Sequence, residues 1–300
     1  MAKVKGSYPG LRQQLFSLTC YPSVAALLLA ALLALPLTAS SQTSTQSASN
    51  QGSASQNSGS AKPSAPKARA MPIQVQRSLE LNEQGVVAIK ARNFTQAEEL
   101  FTKAIEVDSK NLTAVFNLAG MYITNKKDSM AVALLEKYTL SYPKDAGLMA
   151  RLGDAYFSSQ NAKQAIVAYE KALKLDPKYP TIPARLGTLY SMTNKIAKAA
   201  EMYELAIKNN PKDLQSLQNL SSLYLALEKP QQAIATAKRA LQISPSPETY
   251  VTLGNAYQGL KDDRNALIAY QRAKDLGYKD PAINKVINDL AKVTSEKQRT

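Results

Sequence analysis

Alanine recurs at Ala97, Ala131, Ala165, Ala199 and Ala233, each 34 residues after the last, and at Ala266 after 33. Proline keeps the same step at Pro143, Pro177, Pro211 and Pro245. Tyrosine keeps it at Tyr122, Tyr156, Tyr190 and Tyr224, with Tyr257 following after 33. Three series sharing one period describe an array of like units. Units this short cannot bury an apolar face alone, so each must stack on its neighbours.

Within a unit the apolar spacing is helical. In the third, Met149, Leu152, Gly153 and Tyr156 fall at i, i+3, i+4 and i+7, which is one stripe of a helix. After the polar break Ser158-Ser159-Gln160-Asn161, the pattern returns at Ala165, Ile166, Tyr169, Ala172 and Leu173. Small residues at Gly153, Ala165 and Ala172 allow two backbones to approach, and Leu152, Tyr156 and Tyr169 fill the space around them. Pro177 cannot continue the second helix, and Asp176 before it is biased out of helical geometry.

These residues resemble the 34-residue signature of the tetratricopeptide-repeat family: a large residue, Leu-Gly, Tyr, Ala, an aromatic, Ala and Pro. The third unit supplies Met149, Leu152-Gly153, Tyr156, Ala165, Tyr169, Ala172 and Pro177. The fourth supplies Leu186-Gly187, Tyr190, Ala199, Tyr203, Ala206 and Pro211, and the sixth Leu253-Gly254, Tyr257, Ala266, Tyr270 and Ala273. The resemblance implies an all-α, right-handed α-solenoid of about six helix-turn-helix units at 78–111, 112–145, 146–179, 180–213, 214–246 and 247–280. Some positions depart from it. Tyr138 replaces a small residue in the second unit, Ala237 the aromatic of the fifth, and Gln84 and Ser109 stand in the first for Leu and Pro. Pro183 is expected to shorten a helix. Past Asp280-Pro281, a cap followed by proline at the first helical position, the stripe Ile283, Val286, Ile287, Leu290 and Val293 predicts a capping helix over 281–297.

The first 41 residues read differently. Lys3, Lys5 and Arg12 precede an apolar run, Val24 to Leu37, which is followed by Thr38-Ala39-Ser40-Ser41. That order marks a secretory signal. The run is shorter than the roughly 20 residues that span a bilayer. The basic region before it is long for a signal, so a cleaved signal peptide and a retained anchor both remain open. Cys20 precedes the run, whereas a lipidated cysteine would follow it. Residues 42–70 are rich in Ser, Gln, Ala and Pro with little to bury, so they are expected to be a disordered linker with a reach of about 30 Å. The expected location is the bacterial envelope, periplasmic or on the outer side of the cytoplasmic membrane, with membrane attachment through the apolar segment if it is retained.

Composition excludes much chemistry. There is no His, and Cys20 is the sole Cys, so a Ser-His or Cys-His nucleophile pair, a His-containing zinc site and an internal disulfide are impossible. No Gly-rich phosphate loop or acid–base pair is seen. The chain is read as non-catalytic, with no cofactor and no metal. The net charge of +14 is dispersed and lacks an aromatic-basic motif, so nucleic acid is not expected. Asn-X-Ser/Thr triplets at Asn93, Asn111 and Asn219 are read as coincidental.

One column of the repeat, two residues before each Gly/Ala/Ser of the first helix, is expected to face a concave groove. It reads Glu83, Asn117, Arg151, Arg185, Asn219 and Thr252, and the position three further on includes Asp154 and Asn255. Asn117, Arg151, Asp154, Arg185, Asn219 and Asn255 are therefore the candidate partner-binding residues. They are expected to face solvent and to take a protein or peptide segment bearing acidic groups. Arg151 and Asp154, three apart on one helix, can also pair with each other. Some co-chaperone relatives hold a C-terminal carboxylate in a clamp of Lys, Asn and Arg. Here Asn117 and Arg151 match two of five positions, while Asn82, Val86 and Gly147 fail the others, so that clamp is not expected. The resulting reading is a scaffold or adaptor. The alternative is an accessory subunit of an enzyme complex whose catalysis lies on another chain.

Overall fold

The computed structural model describes residues 71–297. They form thirteen α-helices and, among the described residues, no strand. In chain order these are α1 (Ile73–Lys90), α2 (Phe94–Val107), α3 (Leu112–Thr124), α4 (Asp128–Ser141), α5 (Ala146–Ser158), α6 (Ala162–Leu175) and α7 (Ile182–Met192). They are followed by α8 (Ile196–Asn209), α9 (Leu214–Ala226), α10 (Pro230–Ile243), α11 (Pro247–Gly259), α12 (Asp263–Asp275) and α13 (Ala282–Lys297). The apolar run at Val24–Leu37 and the linker at 42–70 lie outside the described residues. Among the described residues no helix is long and apolar enough to cross a membrane.

The described chain divides into two compact units, 71–134 and 135–297. In the first, α1 packs on α2, and α3 packs on both. In the second, α5 to α12 pack each on the next, and α13 packs on α12. The expected all-α solenoid is what forms. The alanine series explains the close approach: Ala97, Ala131, Ala165, Ala199, Ala233 and Ala266 are all 0% exposed. At each, a longer side chain would hold the helices apart.

The first and second helices of every repeat are joined by three residues, and the join is the same six times. Arg92, Lys126, Gln160, Asn194, Glu228 and Lys261 all have φ between 57° and 61°. In the third repeat Gln160 N–H donates to Phe157 O at 3.0 Å, and Asn161 N–H donates to Tyr156 O at 2.8 Å. This is the double bond of a Schellman turn. In three of the six turns the side chain of the residue that closes it also caps the next helix. Asn93, Asn161 and Asp262 accept from the backbone N–H of Gln96, Gln164 and Asn265. Asn93 and Asn111 of the Asn-X-Thr triplets are thus helix caps, a role the triplet pattern does not suggest.

Pro183 does shorten its helix: α7 has 11 residues where α5, α9 and α11 have 13. α1 begins at Ile73, ahead of residue 78. Ile283 and Leu290 of α13 are buried against Ala266, Tyr270 and Ala273. Covering each such side chain is worth about 1.5–3 kcal/mol.

Candidate functional site

The polar column centres on Asp154 in α5. Its carboxylate gathers three donors from three helices. Arg151, one turn earlier, places Nη1 3.5 Å from Oδ2. Tyr169 of α6 donates its hydroxyl to Oδ1 at 2.6 Å. Arg185 of α7 donates Nη1 to the same oxygen, and its guanidinium lies 5.9 Å from the Tyr169 ring centroid.

The expectation that these positions face solvent is overturned. Arg151 is 8% exposed and Asp154 4%, and the Arg185 side chain is 15% exposed. The reason is local packing. Gly153, beside Asp154, lies under the Tyr169 ring, where an added Cβ would come within 2.6 Å of the ring carbons. The ring therefore sits flat on α5 and its hydroxyl reaches Asp154. The i, i+3 pairing of Arg151 with Asp154 is present as expected.

The electrostatics follow from burial. Burial lowers the Arg151 pKa, Asp154 opposes that, and the like charge of Arg185 adds to the lowering. Burial also works against the charge on Arg185, but Asp154 and Tyr169 outweigh it and raise its pKa. Burial and then Asp154 push Tyr169 well above the ordinary tyrosine value. Such a cluster fixes side chains more surely than it stabilises the fold, because each buried charge loses its hydration.

The other candidates take equivalent places. Asn219 donates Nδ2 to the Tyr203 hydroxyl at 2.9 Å, and that oxygen lies 2.9 Å from Thr188 Oγ1. Tyr270 donates to Asn255 Oδ1 at 2.6 Å. In the unit 71–134, Asn117 is buried and donates Nδ2 to Asn82 Oδ1 at 2.9 Å. Asn117, Arg185 and Asn219 therefore each tie their repeat to the one before. Arg185, Asn219 and Asn255 keep part of their surface in solvent.

The tyrosine hydroxyls are the functional groups that sequence reasoning missed. A signal was present: Tyr169, Tyr203 and Tyr270 each stand fifteen residues after Asp154, Thr188 and Asn255. A second tyrosine series bonds backward. Tyr156, Tyr190 and Tyr224 donate to Glu136, Glu170 and Glu204, twenty residues earlier. Burial and the glutamate raise Tyr156 and Tyr224 to about 12.

Four models of the tetratricopeptide repeat match, at 88–154, 153–194, 185–246 and 247–276, and together they run through more than half of the chain. No match was found among curated proteins. Among solved structures the chain is similar to the one titled functional characterization of Pseudomonas aeruginosa pilF, at 17% identity and a TM-score of 0.59. That match covers 73% of this chain and 100% of that one. A MamA protein structure is 23% identical with a TM-score of 0.50, covering 56% and 92%. The APC/C hetero-tetramer Cut9-Hcn1 is 14% identical with a TM-score of 0.50, covering 72% of this chain and 43% of that one. At these identities the likeness is one of fold. Proteins built from this repeat generally mediate protein–protein interaction and are typically non-catalytic. By its repeats and its fold, the chain belongs to the tetratricopeptide-repeat proteins.

Proposed function

We propose that this protein is a non-catalytic scaffold of the cell envelope that holds a segment of a partner protein against the first helices of its repeats. The observation that carries this is the polar column itself. Arg185, Asn219 and Asn255 are half-buried and held in one rotamer by Asp154, Tyr203 and Tyr270. A side chain already fixed loses little entropy when a ligand arrives. In this reading Arg185, Asn219 and Asn255 touch the partner, and Arg151 and Asp154 hold Arg185 in place, while Asn117 holds Asn82 within the unit 71–134. The small, part-exposed Ala184 beside Arg185 leaves room for an extended or helical segment. Arginine suits an acidic group because it can give a carboxylate two parallel hydrogen bonds. The Cut9-Hcn1 hetero-tetramer is a chain of similar fold in complex with another protein.

The envelope location rests on the order of residues 1–41, basic, apolar, then small. Protease treatment of spheroplasts tests it: the repeats are digested along with a periplasmic control, and protection of the repeats overturns the export reading. Affinity purification from native envelope identifies the partner. The double variant Arg185→Ala with Asn219→Ala then weakens binding by about 2 kcal/mol or more. Unchanged affinity and salt dependence, with the helical signal intact, would show that the partner uses another face.

A further inference from the structure

Within the unit 135–297, the second helix of each repeat turns one stripe away from its partner helices. On α6 that stripe is Val167, Lys171 and Lys174, at i, i+4 and i+7, and the turn after the helix continues it with Lys178. All four are exposed. On α12 it is Ile268 and Arg272, continued by Leu276 and Lys279, again all exposed. The helix ends repeat the combination: Leu175, Ile243 and Leu276 are 40%, 43% and 46% exposed, each a few residues from an exposed Lys or Arg. The ion pairs of Arg77, Lys127, Arg151 and Arg185 use no cation of this stripe. Glu201 and Asp275 are the acids on it. The neighbouring Glu170 and Glu204 are tied to Tyr190 and Tyr224.

We propose that this stripe lies on an anionic phospholipid bilayer, with Leu175, Ile243 and Leu276 in the interface and Lys178, Arg239 and Lys279 on the headgroup phosphates. Charge alone would suit any polyanion. The apolar side chains between the cations favour lipid, because a soluble polyanion offers them nothing and a bilayer interface buries them. Long basic side chains can lay their methylene stems along the apolar neighbours while the charged ends reach phosphate. Nucleic acid would call for stacking aromatics, and the stripe has none. Recurrence in the third, fifth and sixth repeats, with Glu201 and Asn209 at the equivalent places of the fourth, suits a broad surface better than a single ligand. The inference does not depend on the protein-binding column, and its failure leaves that reading intact.

The test uses the full chain with Cys20→Ser and a polarity-sensitive label on Leu276→Cys. A second labelled chain carries Leu260→Cys, 39% exposed and beside the turn at the other end of the helix pair. The probes are vesicles of phosphatidylcholine with phosphatidylglycerol and vesicles of phosphatidylcholine alone. The expected result is a blue shift at position 276 with the mixed vesicles, lost at high salt, and none at position 260. Each of Lys178→Gln, Arg239→Gln and Lys279→Gln lowers partition onto the mixed vesicles about fivefold in the unlabelled chain. The N-terminal segment is common to all these chains, so it cannot produce a difference between them. No shift at 276, an equal shift at 260, an equal response to soluble polyphosphate, or glutamine variants that partition like the parent would each overturn the proposal.

Discussion

The third and fifth repeats solve the same packing problem in opposite ways. In the third, Gly153 leaves room for the Tyr169 ring, and the ring carries a hydroxyl into the polar column. In the fifth, Ser221 and Ala237 occupy those places. Ala237 is buried beside Leu253 and Ala269, and the Ser221 hydroxyl turns back to Gln218 O of its own helix at 2.7 Å. The other repeats sort the same way. Glycine meets an aromatic at Gly85–Phe101, Gly187–Tyr203 and Gly254–Tyr270, while the second repeat pairs Ala119 with Leu135 in sequence. Helix spacing depends on the combined volume at two positions. The glycine–ring and alanine–leucine pairs are alike in combined volume, the Ser221–Ala237 pair is much smaller, and only the tyrosine rings bring a polar hand into the column.

The comparison can be broken most forcefully at Asp154. Asp154→Ala leaves two largely buried guanidinium groups without their shared carboxylate, and the expected loss is about 3–5 kcal/mol. Chemical denaturation measures it. The corresponding change in the fifth repeat, Ser222→Ala, is expected within about 0.5 kcal/mol. Comparable losses at the two sites would show that the cluster holds nothing that the fifth repeat lacks.

Next comes the glycine. Gly153→Ala forces the new methyl into the Tyr169 ring and is expected to destabilise by about 1–3 kcal/mol, net of the helix propensity gained. Ser221→Ala has no ring above it and should be near neutral or slightly stabilising. A Gly153→Ala chain as stable as the parent would remove the steric account.

Alkaline titration separates the two tyrosine series from ordinary tyrosines. Tyr156 and Tyr224 ionise near pH 12 in the folded protein and near pH 10 when unfolded. Their folded pKa is raised, so their stabilising contribution is complete below pH 10 and is lost as pH rises from 10 to 12. The fifth repeat supplies no glutamate for Tyr257, which meets Lys238 at 5.7 Å instead. Tyr156→Phe should flatten the alkaline stability curve over that range.

The smallest effect is at the turns, where the two repeats agree. Gln160 and Glu228 have φ of 61° and 57°, a region that costs an L-residue roughly 1 kcal/mol. Gln160→Gly and Glu228→Gly should each stabilise by a few tenths of a kcal/mol, and by the same amount. A gain in one alone would mean that the turns are less alike than their hydrogen bonds.

The sequence made the repeats legible because the 34-residue period records packing between neighbours, and packing is what alanine and glycine report. It also showed that Pro183 would trim α7. The depth of the polar column was not legible. Arg151 and Arg185 read as surface charges from their column alone, and their burial depends on where the Tyr169 ring comes to rest on Gly153. The Schellman turns escaped notice because their left-handed residue is Arg, Lys, Gln, Asn or Glu in different repeats and never glycine. A residue-type pattern cannot announce a shape that hydrogen bonds impose on whatever side chain is present.

The shared residue in those turns also governs how such a chain can change length. It closes one helix and opens the next, so adding or removing a residue there would break two helix ends together. Connections from second helix to next first helix run from three to six residues and carry no such double duty. The one lapse in the period falls in that second kind of connection, at Ser244–Ser246 before α11. Insertions, purification tags and recombination junctions placed between repeats should therefore be tolerated, whereas the same changes inside a helix pair should not.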